Sequence, residues 1–178
     1  MIKVKIIPLD ENHDKYIVKW RNDPEISACL FNDGEISLKS HRKWFETYAK
    51  SISRKEFVIY ISLEDIPIGT VGLSSIDNIN RKAEYGILIG ERQYAGKGYA
   101  KEASMLVMEY AFKLLNLNKV YLRVFEDNKR AVEMYKILGF SIDGISRQDI
   151  FKNGIFKNVI EMSILKEEWE NVQHSDKS

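Results

Sequence analysis

A chain of 178 residues, 44% hydrophobic and 30% charged, has the material for one domain with a core. Its formal net charge of +1 gives no electrostatic reason for a nucleic-acid or membrane partner, and no apolar run is long enough to span a bilayer. Its single cysteine, Cys29, excludes an internal disulfide; beside Leu30 and Phe31 it reads as a small buried apolar residue. The N-terminal residues lack the apolar stretch of a signal peptide, so the cytoplasm is the expected location.

Residues 3–7 alternate as a first strand. Residues 14–22 read as a helix with Tyr16, Ile17 and Trp20 on one side, ended by Asp23-Pro24, and residues 26–35 as irregular chain. Ser37 can cap a second helix whose stripe is Leu38, His41, Phe45, Tyr48 and Ile52. Residues 57–63 and 66–75 read as a hairpin, and residues 82–89 as the next strand. A helix to Leu115, a strand over 119–125 and a helix from Asn128 follow. Residues 141–151 and 155–165 form a hairpin around Lys152-Asn153-Gly154. The domain is expected over residues 1–170, with 171–178 a disordered tail. The order β-α-α-β-β-β-α-β-α-β-β predicts an α/β protein with a mixed sheet flanked by helices.

The stretch Gln93-Tyr94-Ala95-Gly96-Lys97-Gly98-Tyr99-Ala100 carries the strongest functional signal. It joins a strand to a helix start, where unpartnered N–H groups and the helix dipole favour an anion. Gly96 and Gly98 let the main chain approach a phosphate closely. A P-loop would need Ser or Thr after Lys97, and the dinucleotide fingerprint would need glycine where Lys101 stands. A second segment runs from Asn128 through Ala131 and Tyr135 to Gly139-Phe140. Asn128 and Tyr135 lie seven residues, two helical turns, apart and share a face.

The patterns Q-x-x-G-x-G-x-A and N-x-x-A-x-x-x-Y-x-x-x-G-F together resemble the GNAT family of acetyl-CoA-dependent N-acetyltransferases. The resemblance covers most of the second half of the chain and implies the GNAT acyl-CoA N-acyltransferase fold, with acetyl-CoA as co-substrate. It places the pyrophosphate at Gln93, Ala95, Gly96, Lys97, Gly98, Tyr99 and Ala100, with Lys101, Lys129 and Arg130 as further phosphate contacts. It places the pantetheine beside Asn128 and along the main chain of Leu88 and Ile89, where the strand splays from its neighbour. It makes Tyr135 the general acid for the departing thiolate, and Glu84, whose alternation partners are Gly86 and Leu88, a base or amine contact.

The first half is expected to hold the acceptor. Trp20-Arg21-Asn22 with His41 and Trp44-Phe45 resembles acetyltransferases of the pseudaminic acid pathway, which act on a nucleotide-linked amino sugar. Arg21 would pair with its diphosphate, Asn22 and His41 would contact it, and Trp44 or Phe31 would stack on a ring. A core or surface role for each is the competing reading. The second half also resembles spermidine acetyltransferases, for which Glu25, Asp33, Glu35 and Glu84 are available carboxylates, and ribosomal-protein acetyltransferases. A CoA-binding module without turnover is the alternative from another class. The expected partner is a small-molecule amine; among acceptors a nucleotide-linked amino sugar ranks first, a polyamine or other small amine second and a protein N-terminus third. No metal ligand set is expected, and a homodimer is compatible with this reading.

Overall fold

A computed structural model describes residues 3–32 and 34–175 of the chain. Asp33 and residues 176–178 lie outside the described residues. The strands are β1 (Val4–Pro8), β2 (Lys55–Ile61), β3 (Ile66–Asp77), β4 (Lys82–Ile89), β5 (Lys119–Phe125), β6 (Ser141–Lys152) and β7 (Ile155–Leu165). They form one seven-stranded sheet in the order β1-β2-β3-β4-β5-β7-β6. Every neighbouring pair is antiparallel except β4 with β5, which is parallel.

The sheet's faces are set by strand alternation. On one face Val71, Leu73, Tyr85 and Val120 are buried and pack with α4 (Tyr99–Glu109) and α5 (Lys129–Ile137). Ala103, Val107, Val132 and Tyr135 are the helical side of this core. A π-helical turn over Tyr110–Leu114 continues α4 and seats the buried Phe112. On the other face Val58 and Leu88 meet Ile17 and Trp20 of α1 (Asp14–Arg21) and Trp44, Phe45 and Tyr48 of α3 (Leu38–Tyr48). Ser37 caps α3, accepting a hydrogen bond from the Ser40 amide, as its sequence predicts.

Four local readings are corrected. Asp23-Pro24 does not simply end a helix. The Asp23 side chain accepts from the Glu25 and Ile26 amides and starts the short α2 (Pro24–Ala28) inside the segment read as irregular. Ile52 lies past the end of α3 and is exposed. Cys29 is exposed, not buried. The tail read as disordered from 171 is a helix, α6 (Lys166–Ser175), held by Trp169 against Phe112 with ring centroids 5.4 Å apart.

The buried Trp20 is the main anchor of α1 on the sheet. A Cβ at Gly90, the residue after β4, would lie 2.0 Å from the indole Cγ. The indole N–H donates to Glu91 Oε1 at 2.8 Å. Gly90→Ala should therefore destabilise the fold by about 1–3 kcal/mol through forced displacement of the indole. A urea melt checks this, and an unchanged midpoint would refute the contact.

Candidate active site

Strands β4 and β5 pair only over Lys82↔Lys119, Ala83↔Val120 and Glu84↔Tyr121. Beyond Glu84 they part, while β4 stays paired to β3 as far as Ile89 and β5 to β7 as far as Phe125. The splay expected from the sequence is present. Its open edge leaves those main-chain N–H and C=O groups of residues 85–89 that face away from β3 without a strand partner, a surface suited to an extended amide-bearing ligand.

A cleft of about 940 Å3 runs along this opening. Ala95, Gly96, Gly98, Ala100, Lys101 and Arg130 line one end. Gly96 and Gly98 adopt φ of +79° and +88°, which glycine takes without strain, and Gly98 caps α4. A Cβ at Gly96 would come 3.2 Å from the Arg130 guanidinium, whereas one at Gly98 would meet nothing within 4 Å. Main-chain amides at a helix start, with a guanidinium beside them, fit a pyrophosphate. Gln93, Lys97 and Tyr99 do not line the cleft: Lys97 lies over the Tyr94 ring, which meets Tyr99 edge to face.

Leu88, Ile89, Asn128 and Tyr135 line the middle. Asn128 caps α5, its Oδ1 accepting from the Ala131 amide at 3.3 Å. Tyr135 is buried edge-on against Tyr85, and burial pushes its phenol up to about 12. Such a phenol keeps its proton throughout the neutral range. Glu84 lies on the cleft wall opposite Ser74 and Tyr121.

The far end is lined by Arg21, Glu25, His41, Trp44, Arg54 and Glu56, with the exposed Cys29 nearby. Arg21 faces the cleft as expected. Asn22 does not: its side chain clasps the Ile36 main chain in both directions at 2.8 Å and braces the loop before α3. His41 reaches the wall, but its ring is buried, stacked on Trp44 and 3.3 Å from the buried Asp14 carboxylate, out of line for a hydrogen bond. Burial holds its pKa below the usual histidine value despite Asp14, so the neutral ring is favoured. Trp44 is engaged from the turn before by His41 and from the turn after by Tyr48. Phe31 packs edge-on to Phe125 under the Arg123 guanidinium. Of the other carboxylates considered, Glu25 pairs with Arg92 at 2.6 Å, and Glu35 is exposed away from the cleft.

Glu56 was not visible to sequence reasoning. It lies one residue before the hairpin strand as the sequence predicts it, where a carboxylate looks like a solvated end. In the structure β2 begins at Lys55, and Glu56 faces the cleft between Arg54 and Arg21. The one available signal is Gly72, one of two glycines inside the neighbouring strand.

Comparison with known proteins agrees with this arrangement. The model of the acetyltransferase (GNAT) domain matches residues 3–141. The spermidine N(1)-acetyltransferase of Escherichia coli K12 is 31% identical over 166 residues, 93% of this chain and 88% of that relative. The acetyltransferase PseH of Campylobacter jejuni is 28% identical, covering 80% of this chain and 86% of its own. The crystal structure of spermidine N-acetyltransferase from Vibrio cholerae in complex with CoA and spermine superposes with a TM-score of 0.90 at 28% identity, covering 95% of this chain and 99% of that one. The family match spans most of the chain and carries both the fold and the chemistry: the chain belongs to the GNAT acetyltransferases, enzymes that use acetyl-CoA as co-substrate.

Proposed function

We propose that the cleft joins acetyl-CoA to a primary amine of a small molecule by direct attack, with the cofactor and acceptor entering from opposite ends. The loop amides from Ala95 to Ala100 and the Arg130 guanidinium receive the phosphates. The free edge of β4 at Leu88 and Ile89 receives the pantetheine amides, and its main-chain N–H groups are placed to polarise the thioester carbonyl. Tyr135 gives its phenolic proton to the thiolate, whose conjugate acid has a pKa near about 8.5.

For the acceptor, a polyamine of the spermidine type comes ahead of the nucleotide-linked amino sugar that the sequence alone ranks first. Its support is the likeness to spermidine enzymes along 93% of this chain, together with Glu25, Glu56 and Glu84 on the cleft wall. A nucleotide-linked amino sugar is the second reading, and one observation favours it. Arg21 and Arg54, both partly buried, flank the acceptor end, where two guanidiniums oppose a polycation and suit a diphosphate.

CoA release measured over spermidine, a UDP-linked amino sugar and a ribosomal-protein N-terminal peptide separates these readings. A guanidinium–diphosphate contact of about 1.5–3 kcal/mol corresponds to roughly one to two decades in KM. Arg21→Ala should raise the KM for an amino-sugar nucleotide by that amount, yet leave the KM for spermidine unchanged or lower. Absence of turnover with every small amine would refute the small-molecule reading.

Two variants test the rest of the cleft. Gly98→Val meets no neighbour and should keep the overall fold at a cost of about 1–3 kcal/mol for a branched residue at positive φ, but lose acetyl-CoA binding. Calorimetry showing parental affinity would refute the phosphate site. Tyr135→Phe keeps the ring and removes the proton. Its kcat should fall by roughly two to four decades with little change in acetyl-CoA affinity, and an undiminished kcat would leave Tyr135 as packing alone.

A further inference from the structure

An alkylammonium must lose a proton before it can attack a thioester, and Tyr135, protonated at neutral pH, cannot take it. The sheet register identifies a group that can. Glu56 on β2 pairs with Gly72 on β3, which pairs with Gly86 on β4, so the three lie in one row on one face. A Cβ at Gly72 would lie 2.5 Å from Glu56 Oε2 and 2.9 Å from its Cδ, which shows that the carboxylate lies over the neighbouring strand in the space a side chain would fill. A Cβ at Gly86 would meet nothing within 4 Å. Gly86 is the second residue past the last β4–β5 pair, at the start of the splay. The way from the carboxylate to the open edge of β4 is therefore floored by glycine backbone, and is about one strand spacing, about 4.8 Å, across. That distance is too long for direct proton transfer and suits transfer through one water.

We propose that Glu56, held over Gly72 at the acceptor end of the cleft, is the general base that removes the proton from the acceptor amine. The ammonium gives one proton, through one water, to the Glu56 carboxylate, which passes it to solvent. The nitrogen lone pair then forms a bond to the thioester carbonyl carbon as the carbon–sulfur bond breaks. Tyr135 protonates the departing thiolate and is restored, through water, by the proton leaving the acylated nitrogen. The sum is one amide, one thiol and one proton released.

The surroundings of Glu56 tune it for this task. Burial raises its carboxyl to about 7 against the opposing pull of Arg54 on its own strand and Arg21 on α1. Arg54 Nη1 stands 3.8 Å from Glu56 Oε1. From α3 the Tyr48 hydroxyl holds the Glu56 main chain, accepting from its N–H at 3.2 Å and donating to its C=O at 3.3 Å. The facing positions of β3 are Thr70, Gly72 and Ser74, none of them ionisable in this range. A base titrating near 7 is present in useful amount at neutral pH and still basic enough to accept a proton. Glu84 sits on the same face at the paired end of β4, before the strands part.

The inference rests on acetyl transfer and not on which amine is accepted. The test is the pH dependence of kcat/KM for the parent, Glu56→Gln, Glu56→Asp and Glu84→Gln, using the best acceptor of the amine panel. Glu56→Gln should lose roughly two to three decades in kcat/KM together with the acidic limb near pH 7, at unchanged acetyl-CoA KM. Glu56→Asp should keep a limb at reduced rate, and Glu84→Gln should keep the acidic limb near pH 7 whatever its effect on the acceptor KM. Retention of the limb and the rate in Glu56→Gln, or loss of the limb in Glu84→Gln instead, overturns the assignment. A second measurement needs no acceptor. A carboxyl whose folded pKa is raised from 4.5 to about 7 contributes stability that is fully present below 4.5 and is lost progressively as pH rises from there to about 7. Melting temperatures from pH 4 to 8.5 should therefore show Glu56→Gln gaining on the parent as pH rises to about 7 and holding that gain above it. Parallel curves would remove Glu56 from its buried place and the proposal with it.

Discussion

The parting of β4 from β5 after three residue pairs is the constraint on which the rest of the molecule depends. A sheet does not give up ladder hydrogen bonds without cause, because a main-chain group buried without a partner costs about 1–3 kcal/mol. Here each strand is held to its full length from its outer side, β4 by β3 and β5 by β7. The two halves of the sheet therefore diverge as units, and the freed groups line a cleft rather than a core. Tyr85, Tyr135 and Phe140 fill the helical side of the opening with ring contacts near 6 Å. The aromatic packing that buries Tyr135 also raises its phenol, so packing and acidity have one cause.

The acceptor side is attached to the same strand. Trp20 packs on Gly90 and bonds Glu91 at the end of β4. Arg92, just beyond, bonds Asp23 at the start of α2 at 2.6 Å. The exposed ion pair contributes little by itself, and the buried indole supplies most of the attachment. Helical steps of about 100° then send Trp20, Arg21 and Asn22 in three directions. The first anchors the helix, the last clasps Ile36, and Arg21 lines the far end of the cleft. Arg21 thus owes its position to its two neighbours.

Features written in contiguous residues were legible. The loop with two glycines, the Ser37 and Asn128 caps, the splay and the placement of Tyr135 all follow from local pattern or from the family motif. What escaped depends on distant partners. Helix α6 has one strong apolar anchor, Trp169, whose partner Phe112 lies far back in the chain. Cys29 has apolar sequence neighbours, yet α2 turns it toward the cleft. Trp44 and His41 look free to meet a substrate until their stacking on each other is seen. Glu56 and Gly72 are sixteen positions apart, and each alone is unremarkable; only the strand register makes them one feature.

That feature breaks two local rules at one place. Glycine inside β3 gives up the side-chain packing that stabilises a strand, and a side chain there would be driven into Glu56 and into the Lys55 carbonyl oxygen. Glu56 in turn has only 22% of its side chain exposed, in surroundings that raise its carboxyl to about 7, so its charged form opposes folding at neutral pH. A core built for stability alone would place an apolar residue at 56. The first break makes the second possible, since only an empty position 72 lets a carboxylate from the next strand reach toward the splay. Two costs that coincide, and that open the path from the acceptor end to the free edge of β4, mark a functional position better than either could alone.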